Sequence, residues 1–153
     1  MIIGLDCGLS GAIALHDPAT GWLEISDMPT IGATKRTINH RALLDILRSA
    51  GDGRHIAWVE QVAARPGQGV SSMFTFGRVF GAVEMACAAA GLEVRFVTPA
   101  TWKKHFGLSK DKDASRALAC QRFPGAAKSF ERARDADRAE AALIALYGAE
   151  VGR

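Results

Sequence analysis

The order in which extended and helical patterns follow one another constrains this chain most. Two short apolar runs, residues 2–6 and 12–16, flank Gly8-Leu9-Ser10-Gly11 and read as a hairpin, and a third, 22–28, follows the turn Asp17-Pro18-Ala19-Thr20-Gly21. Three antiparallel strands therefore open the sheet. Past the polar stretch 30–37, Leu43, Leu44 and Leu47 recur at helical spacing over 39–49, and Gly51 closes that helix. Residues 55–61 form a strand, the Pro- and Gly-bearing segment 65–69 a loop, and 71–90 a long helix ended by Gly91. Residues 93–98 form the fifth strand. Pro99 suits the first turn of a helix carrying Trp102 and Phe106, and Ser109 or Asp111 caps another reaching Phe123, broken by Pro124-Gly125. The last helix covers about 137–149, with Ala141, Leu143, Ile144 and Leu146 on its apolar side. Strands first and crossovers later predict an α/β fold, a mixed five-stranded sheet flanked by helices on both faces.

The 153 residues suit one domain with its own core, and no internal repeat or linker interrupts them. A hydrophobic share of 48% and a charged share of 23% exclude disordered and fibrous classes. Cys7, Cys87 and Cys120 lack any C-x-x-C spacing and sit in apolar surroundings, so they read as buried thiols in a reducing, intracellular compartment. No basic leader or membrane-length apolar run is present, so no membrane role is expected. The net charge of +3 mildly favours a polyanionic partner, with basic residues dense over 95–116 and 122–138.

Four acids stand where packing does not require them. Asp6 ends the first strand inside Asp6-Cys7-Gly8-Leu9-Ser10-Gly11, and burying its charge without a partner would be expensive. Three readings of this motif stay open. It is a nucleotide-contacting glycine hairpin of the sugar-kinase and actin type, a metal ligand of a ribonuclease H-like nuclease, or an aspartate that satisfies turn amides. Glu60 also ends an apolar strand. Neighbouring strands lie about 4.8 Å apart, so two strand-end carboxylates share a cation if their strands are adjacent and in register.

Asp137 and Glu140, three residues apart, share a helix face. They also fit a capping box, with Asp137 as N-cap and Glu140 reaching back to its amide; Asp135 is an alternative cap that leaves both acids in the first turn. Capping does not explain all four acids together. Such hard oxygen ligands suit Mg²⁺ or Mn²⁺. Two ions about 4 Å apart would activate water and stabilise a leaving oxygen, which is phosphodiester hydrolysis.

Ile3-Gly4-Leu5-Asp6-Cys7-Gly8, Val59-Glu60-Gln61 and Asp137-Arg138-Ala139-Glu140-Ala141-Ala142-Leu143-Ile144-Ala145 together resemble the RuvC family of Holliday junction resolvases, in its short phage or prophage-type branch. The likeness extends over nearly the whole chain. It implies a ribonuclease H-like fold, residues 1–153 as a single RuvC-like nuclease domain, and a homodimer that places paired symmetric nicks across a four-way DNA junction. The setting it implies is the cytoplasm of a bacterial cell or phage-infected host. Asp6, Glu60, Asp137 and Glu140 match the family's catalytic, metal-binding acids, which implies two Mg²⁺ ions, with Mn²⁺ as a substitute. Departures are Asp6-Cys7-Gly8 where the family usually has Asp-Pro-Gly, and Glu140 where it commonly has Asp.

The resemblance also matches Lys103 or Lys104, and Lys112, to basic residues that hold backbone phosphates. A lysine near the scissile phosphate stabilises developing charge, which adds Lys112 to the catalytic set. Lys110 and Arg65 are further candidate DNA contacts, although Lys110-Asp111-Lys112-Asp113 also reads as a solvated helix start. The family's junction-inserting aromatic follows the Glu60 strand. Here that place is taken by residues 63–69, with Met73, Phe74 and Phe76 beyond. Phe74 is a candidate DNA contact, and its helix face with Phe80 also reads as core or dimer interface. His105 reads as structural. The expected activity is divalent-metal-dependent endonucleolytic cleavage of branched DNA. One alternative is a broader nuclease acting on flaps, forks or RNA-containing duplexes. An actin-type nucleotide module is disfavoured, because those proteins duplicate the fold and this chain has room for one copy.

Overall fold

The structure, a computed structural model, describes residues 1–61, 63, 67–109 and 111–152; the candidates Arg65 and Lys110 lie outside these residues. Strands β1 (Ile2–Asp6), β2 (Ala12–Asp17) and β3 (Trp22–Asp27) form the expected antiparallel meander. Two short strands, β4 (Thr30–Ile31) and β5 (Thr37–Ile38), pair as a separate ribbon. Helix α1 (His40–Arg48) follows, capped by the Asn39 side chain, which accepts from Ala42 N. Strand β6 (Ile56–Glu60) then runs parallel to β1. After α2 (Val70–Ala89), β7 (Glu93–Val97) runs parallel to β6. The sheet order is β3-β2-β1-β6-β7. Helices α3 (Pro99–His105), α4 (Lys112–Arg122) and α5 (Ala136–Val151) complete the chain.

Successive strand residues face opposite sides of a sheet, and the two sides differ here in residue size. Ile3, Leu5, Ile13, Leu15, Ala57 and Val59 pack with α1 and α2. Ala12, Ala14 and Trp58 pack with α5 and the helices around it. The small residues let α5 lie close to the strands. A Cβ on Gly4 would stand 2.2 Å from Ala141 O and 2.4 Å from Ala145 N, both fixed helix backbone. Gly4→Ala is therefore expected to destabilise the protein by about 1–3 kcal/mol, read as a lower unfolding temperature. An unchanged melt would mean that α5 sits further from β1 than described.

The expected mixed five-stranded sheet flanked by helices on both faces is present, with three local differences. Residues 30–37 are bounded by the β4–β5 ribbon, whose two-residue strands are too short to show alternation. Helix α5 is buried all round from Ala139 to Leu146 rather than on one apolar side, because the sheet covers one flank and α3 and α4 the others. Beyond Phe123 the chain forms a 3₁₀ turn, Pro124–Ser129, and then buries Phe130 completely. Arg116 holds that segment by donating to Phe130 O and Glu131 O at 3.3 and 2.8 Å. Cys7 and Cys87 are buried free thiols, as expected, and Cys120 is half-buried. Burial pushes the Cys87 thiol up to about 12. Among the described residues no helix is long and apolar enough to cross a membrane.

Candidate metal centre

The strand alternation that packs α5 also aims the acids. Asp6 lies two residues beyond Gly4, and Glu60 two beyond Trp58, so both face the α5 side of the sheet. Strands β1 and β6 are adjacent and parallel, with Leu5 opposite Val59. Both carboxylates therefore stand at the same sheet edge, as required for a shared cation. The first turns of α5 arrive there, and Asp6, Asp137 and Glu140 each bring an oxygen within 4.8 Å of the others. Glu60 stands beside this group rather than within it.

The Asp137–Glu140 pair is not a capping box. Helix α5 begins one residue earlier, at Ala136, with Asp135 at its N-cap position. The Asp135 carboxylate binds Arg132, accepting from its backbone N and its guanidinium at 3.0 Å. That leaves Asp137 and Glu140 inside the helix, free to face the sheet edge. Each meets a lysine. Lys112 Nζ donates to Asp137 Oδ1 at 2.6 Å, and Lys103 Nζ to Glu140 Oε1 at 2.7 Å.

Local structure places both lysines. Glu60 sits opposite Val97 at the end of β7. The Thr98 side chain caps α3, accepting from Thr101 N at 3.2 Å, with Pro99 in the first turn. One turn on, fully buried Trp102 donates its Nε1 to Glu60 Oε1 at 2.8 Å. Lys103 follows directly, its Nζ 5.0 Å from the Trp102 ring centroid. Asp111, one of the two expected caps, caps α4 by accepting from Asp113 N, which sets Lys112 at the start of that helix.

Trp102 is the site residue that sequence reasoning missed as such; it was legible only as an apolar helix position. Lys104 is exposed, and with Lys103 it lines a cavity of about 590 Å³. Phe74 is 69% exposed on α2, whereas Phe80 packs between Phe76 and Phe96. His105 pairs with Glu150, which also binds Arg122, in agreement with a structural role.

Crowded acids raise one another's affinity for protons. Burial pushes the Asp6 carboxyl well above the usual range, and Glu60, Asp137 and Glu140 push it the same way. Burial also raises Glu60, against the Trp102 hydrogen bond, which lowers it. The Asp137 hydrogen bond raises Lys112, which keeps its ammonium charged. The hard-oxygen donor set fits a divalent cation such as Mg²⁺ or Mn²⁺. Gly11 in the first turn has a packing explanation, since a Cβ there would lie 2.0 Å from Asp6 O.

Next to the site, Arg138 makes a paired contact with Asp27 at 2.5 and 2.6 Å, tying α5 to β3. That hydrogen bonding holds Asp27 below the usual carboxylate range. Its contribution is present above the ordinary value near about 3.9 and is lost as pH falls through the lowered one. Asp6 and Glu60 run oppositely, because their ionisation costs the folded state and acid removes that cost. Arg138→Ala is expected to lower the unfolding temperature at pH 6, with the difference from wild type shrinking as pH falls through the lowered Asp27 range. The effect is at most about 1 kcal/mol, since the Asp27 side of the pair is largely exposed. A pH-independent difference between the two proteins would rule the linkage out.

No protein-family model and no curated protein matches the sequence. Among solved structures, T. thermophilus RuvC in complex with Holliday junction substrate aligns with a TM-score of 0.60 at 17% identity, covering 99% of this chain and 95% of that chain. A second Thermus thermophilus RuvC structure aligns with a TM-score of 0.59 at 18% identity, covering 99% and 96%. The fold is RuvC-like. At these identities the likeness is one of architecture, and it agrees with the ribonuclease H-like arrangement expected from the sequence.

Proposed function

We propose that residues 1–153 form one RuvC-like nuclease domain, a divalent-metal-dependent endodeoxyribonuclease that resolves four-way DNA junctions by paired symmetric nicks. The observation that carries this reading is the convergence of Asp6, Asp137 and Glu140, with Glu60 beside them, at one sheet edge of a RuvC-like fold. These four acids are the proposed catalytic residues and would hold Mg²⁺, two ions in all, with Mn²⁺ as a substitute. Bound there, the metal supplies activation of a water nucleophile and charge stabilisation at the scissile phosphate.

The chain's own groups do the rest. Trp102 fixes the Glu60 carboxylate through its Nε1. Lys112, charged and anchored on Asp137, stabilises negative charge developing on the phosphate. Lys103 and Lys104 position the DNA backbone. Homodimer formation is supported by α2, where Phe74 and Met85 are exposed and Gly77 and Gly81 face open space. That apolar stripe would let a second helix approach closely, with Phe74 near the junction. The proposed setting is the cytoplasm of a bacterium or of a phage-infected cell.

The second reading is a nuclease of broader structure selectivity. It is favoured by the segment after Glu60, which lacks the family's aromatic position. End-labelled four-way junctions, forks, flaps, linear duplexes and RNA-containing duplexes, each incubated with Mg²⁺ or Mn²⁺, separate the two. Preferential cleavage of the four-way junction is expected. Equal cleavage of forks and flaps would replace the resolvase assignment with the broader one.

A further inference from the structure

On the α1–α2 side of the sheet, the β4–β5 ribbon and the first half of α2 enclose a trough of about 580 Å³. Lys35 and Arg36 enter it from the ribbon, His40 from α1, and Arg78 from α2. No carboxylate lines it among the described residues. This differs from the cations at the acidic cluster, where Lys103 and Lys112 are each paired with an acid. Lys35 and Arg78 are exposed and form no ion pair with any described residue. Like charges gathered without a counter-ion repel one another, and a polyanion relieves that repulsion.

The trough does not end at the ribbon. A second depression of about 340 Å³ shares Leu9, Ser71 and Thr75 with it and reaches Gly8, two residues beyond Asp6. Ser71, Ser72 and Thr75 offer neutral hydroxyl donors along the way, the kind of group that binds backbone phosphates alongside cations. Arg36 fixes the alignment, since its Nη2 donates to Leu9 O at 2.6 Å and its Nε to Thr30 Oγ1 at 3.2 Å. The ribbon is thereby tied to the turn that follows Asp6.

We infer that this trough is a second DNA-backbone site, in which Lys35 and Arg78 hold phosphates of the strand running from the acidic cluster across α2. The inference rests on the nuclease reading and adds to it a backbone path on the α1–α2 side of the sheet. Arg36 sets the position of the ribbon, so the contacts to remove are Lys35 and Arg78.

The test is junction binding by the full chain in chelator between 50 and 200 mM salt, comparing wild type with Lys35→Ala/Arg78→Ala. The control is Arg54→Ala/Lys128→Ala, which removes two exposed charges elsewhere. Thermal melts confirm that all three proteins are folded. Each phosphate contact contributes a salt slope of about 0.9, so the trough variant is expected to lose about 1.8 of the slope. Its disadvantage against wild type then shrinks roughly tenfold across that salt range. The control is expected to keep the wild-type slope. An unchanged slope in the trough variant, or an equal loss in the control, overturns the site while wild-type binding and cleavage keep the nuclease reading standing. Wild type that neither binds nor cuts any DNA overturns both.

Discussion

Asp6→Asn is expected to abolish cleavage, with a loss on the order of 10³-fold or more, about 4 kcal/mol of barrier, while four-way junction binding stays near the wild-type value. The asparagine keeps the shape of the side chain but removes a carboxylate that burial first, and then Glu60, Asp137 and Glu140, push above the usual range. Backbone binding is assigned to lysines elsewhere, so it survives the change. The stability readout runs the other way. Metal-free Asp6→Asn is expected to unfold no lower than wild type, because one of several mutually repelling charges is gone. Mg²⁺ at roughly ten times its Kd stabilises wild type by about 1.4 kcal/mol, or about 3–6 °C in Tm for a chain of this size. The variant is expected to lose most of that shift. An equal Mg²⁺ shift in both proteins would remove Asp6 from the metal site, whatever the activity data.

Lys112→Ala is the second large effect, a fall in kcat on the order of 10²-fold. Lys112 is the cation bonded to Asp137, and that bond keeps it protonated through the neutral range. If its charge acts on the phosphate as the reaction proceeds, kcat falls and KM changes little. Lys112→Arg, which retains charge, recovers part of the rate. Lys104→Ala, on the exposed side of α3, is expected to weaken DNA binding and leave kcat near wild type. A Lys112→Ala enzyme that loses only affinity would reassign the residue to backbone binding.

What the sequence made legible follows from the range over which each signal acts. The apolar runs ending in Asp6 and Glu60 are bounded by turns, so their strand-end positions were readable locally. Adjacency of the two strands was not, and it is the Leu5–Val59 register that sets the acids side by side. The Asp137–Glu140 spacing was ambiguous in principle, since a capping box and a ligand pair use the same interval. The Arg132–Asp135 contact, which frees the later acids, depends on where the helix begins. Trp102 and Glu60 are separated by 42 positions, and nothing in either local pattern announces their bond. The β4–β5 ribbon leaves no signal in the sequence, because two residues per strand carry no periodicity. Small residues such as Gly4 acquire meaning only once α5 is seen lying against β1.

The most direct measurement of the central claim is cleavage of a four-way junction, each strand end-labelled in turn, by purified wild type and Asp6→Asn, with Mg²⁺ or with chelator. Nicks are expected at symmetry-related positions on two opposing strands, present only for wild type and only with the divalent cation. Cleavage that persists in chelator or in Asp6→Asn, or wild type that leaves the junction intact with Mg²⁺ and Mn²⁺, would contradict it.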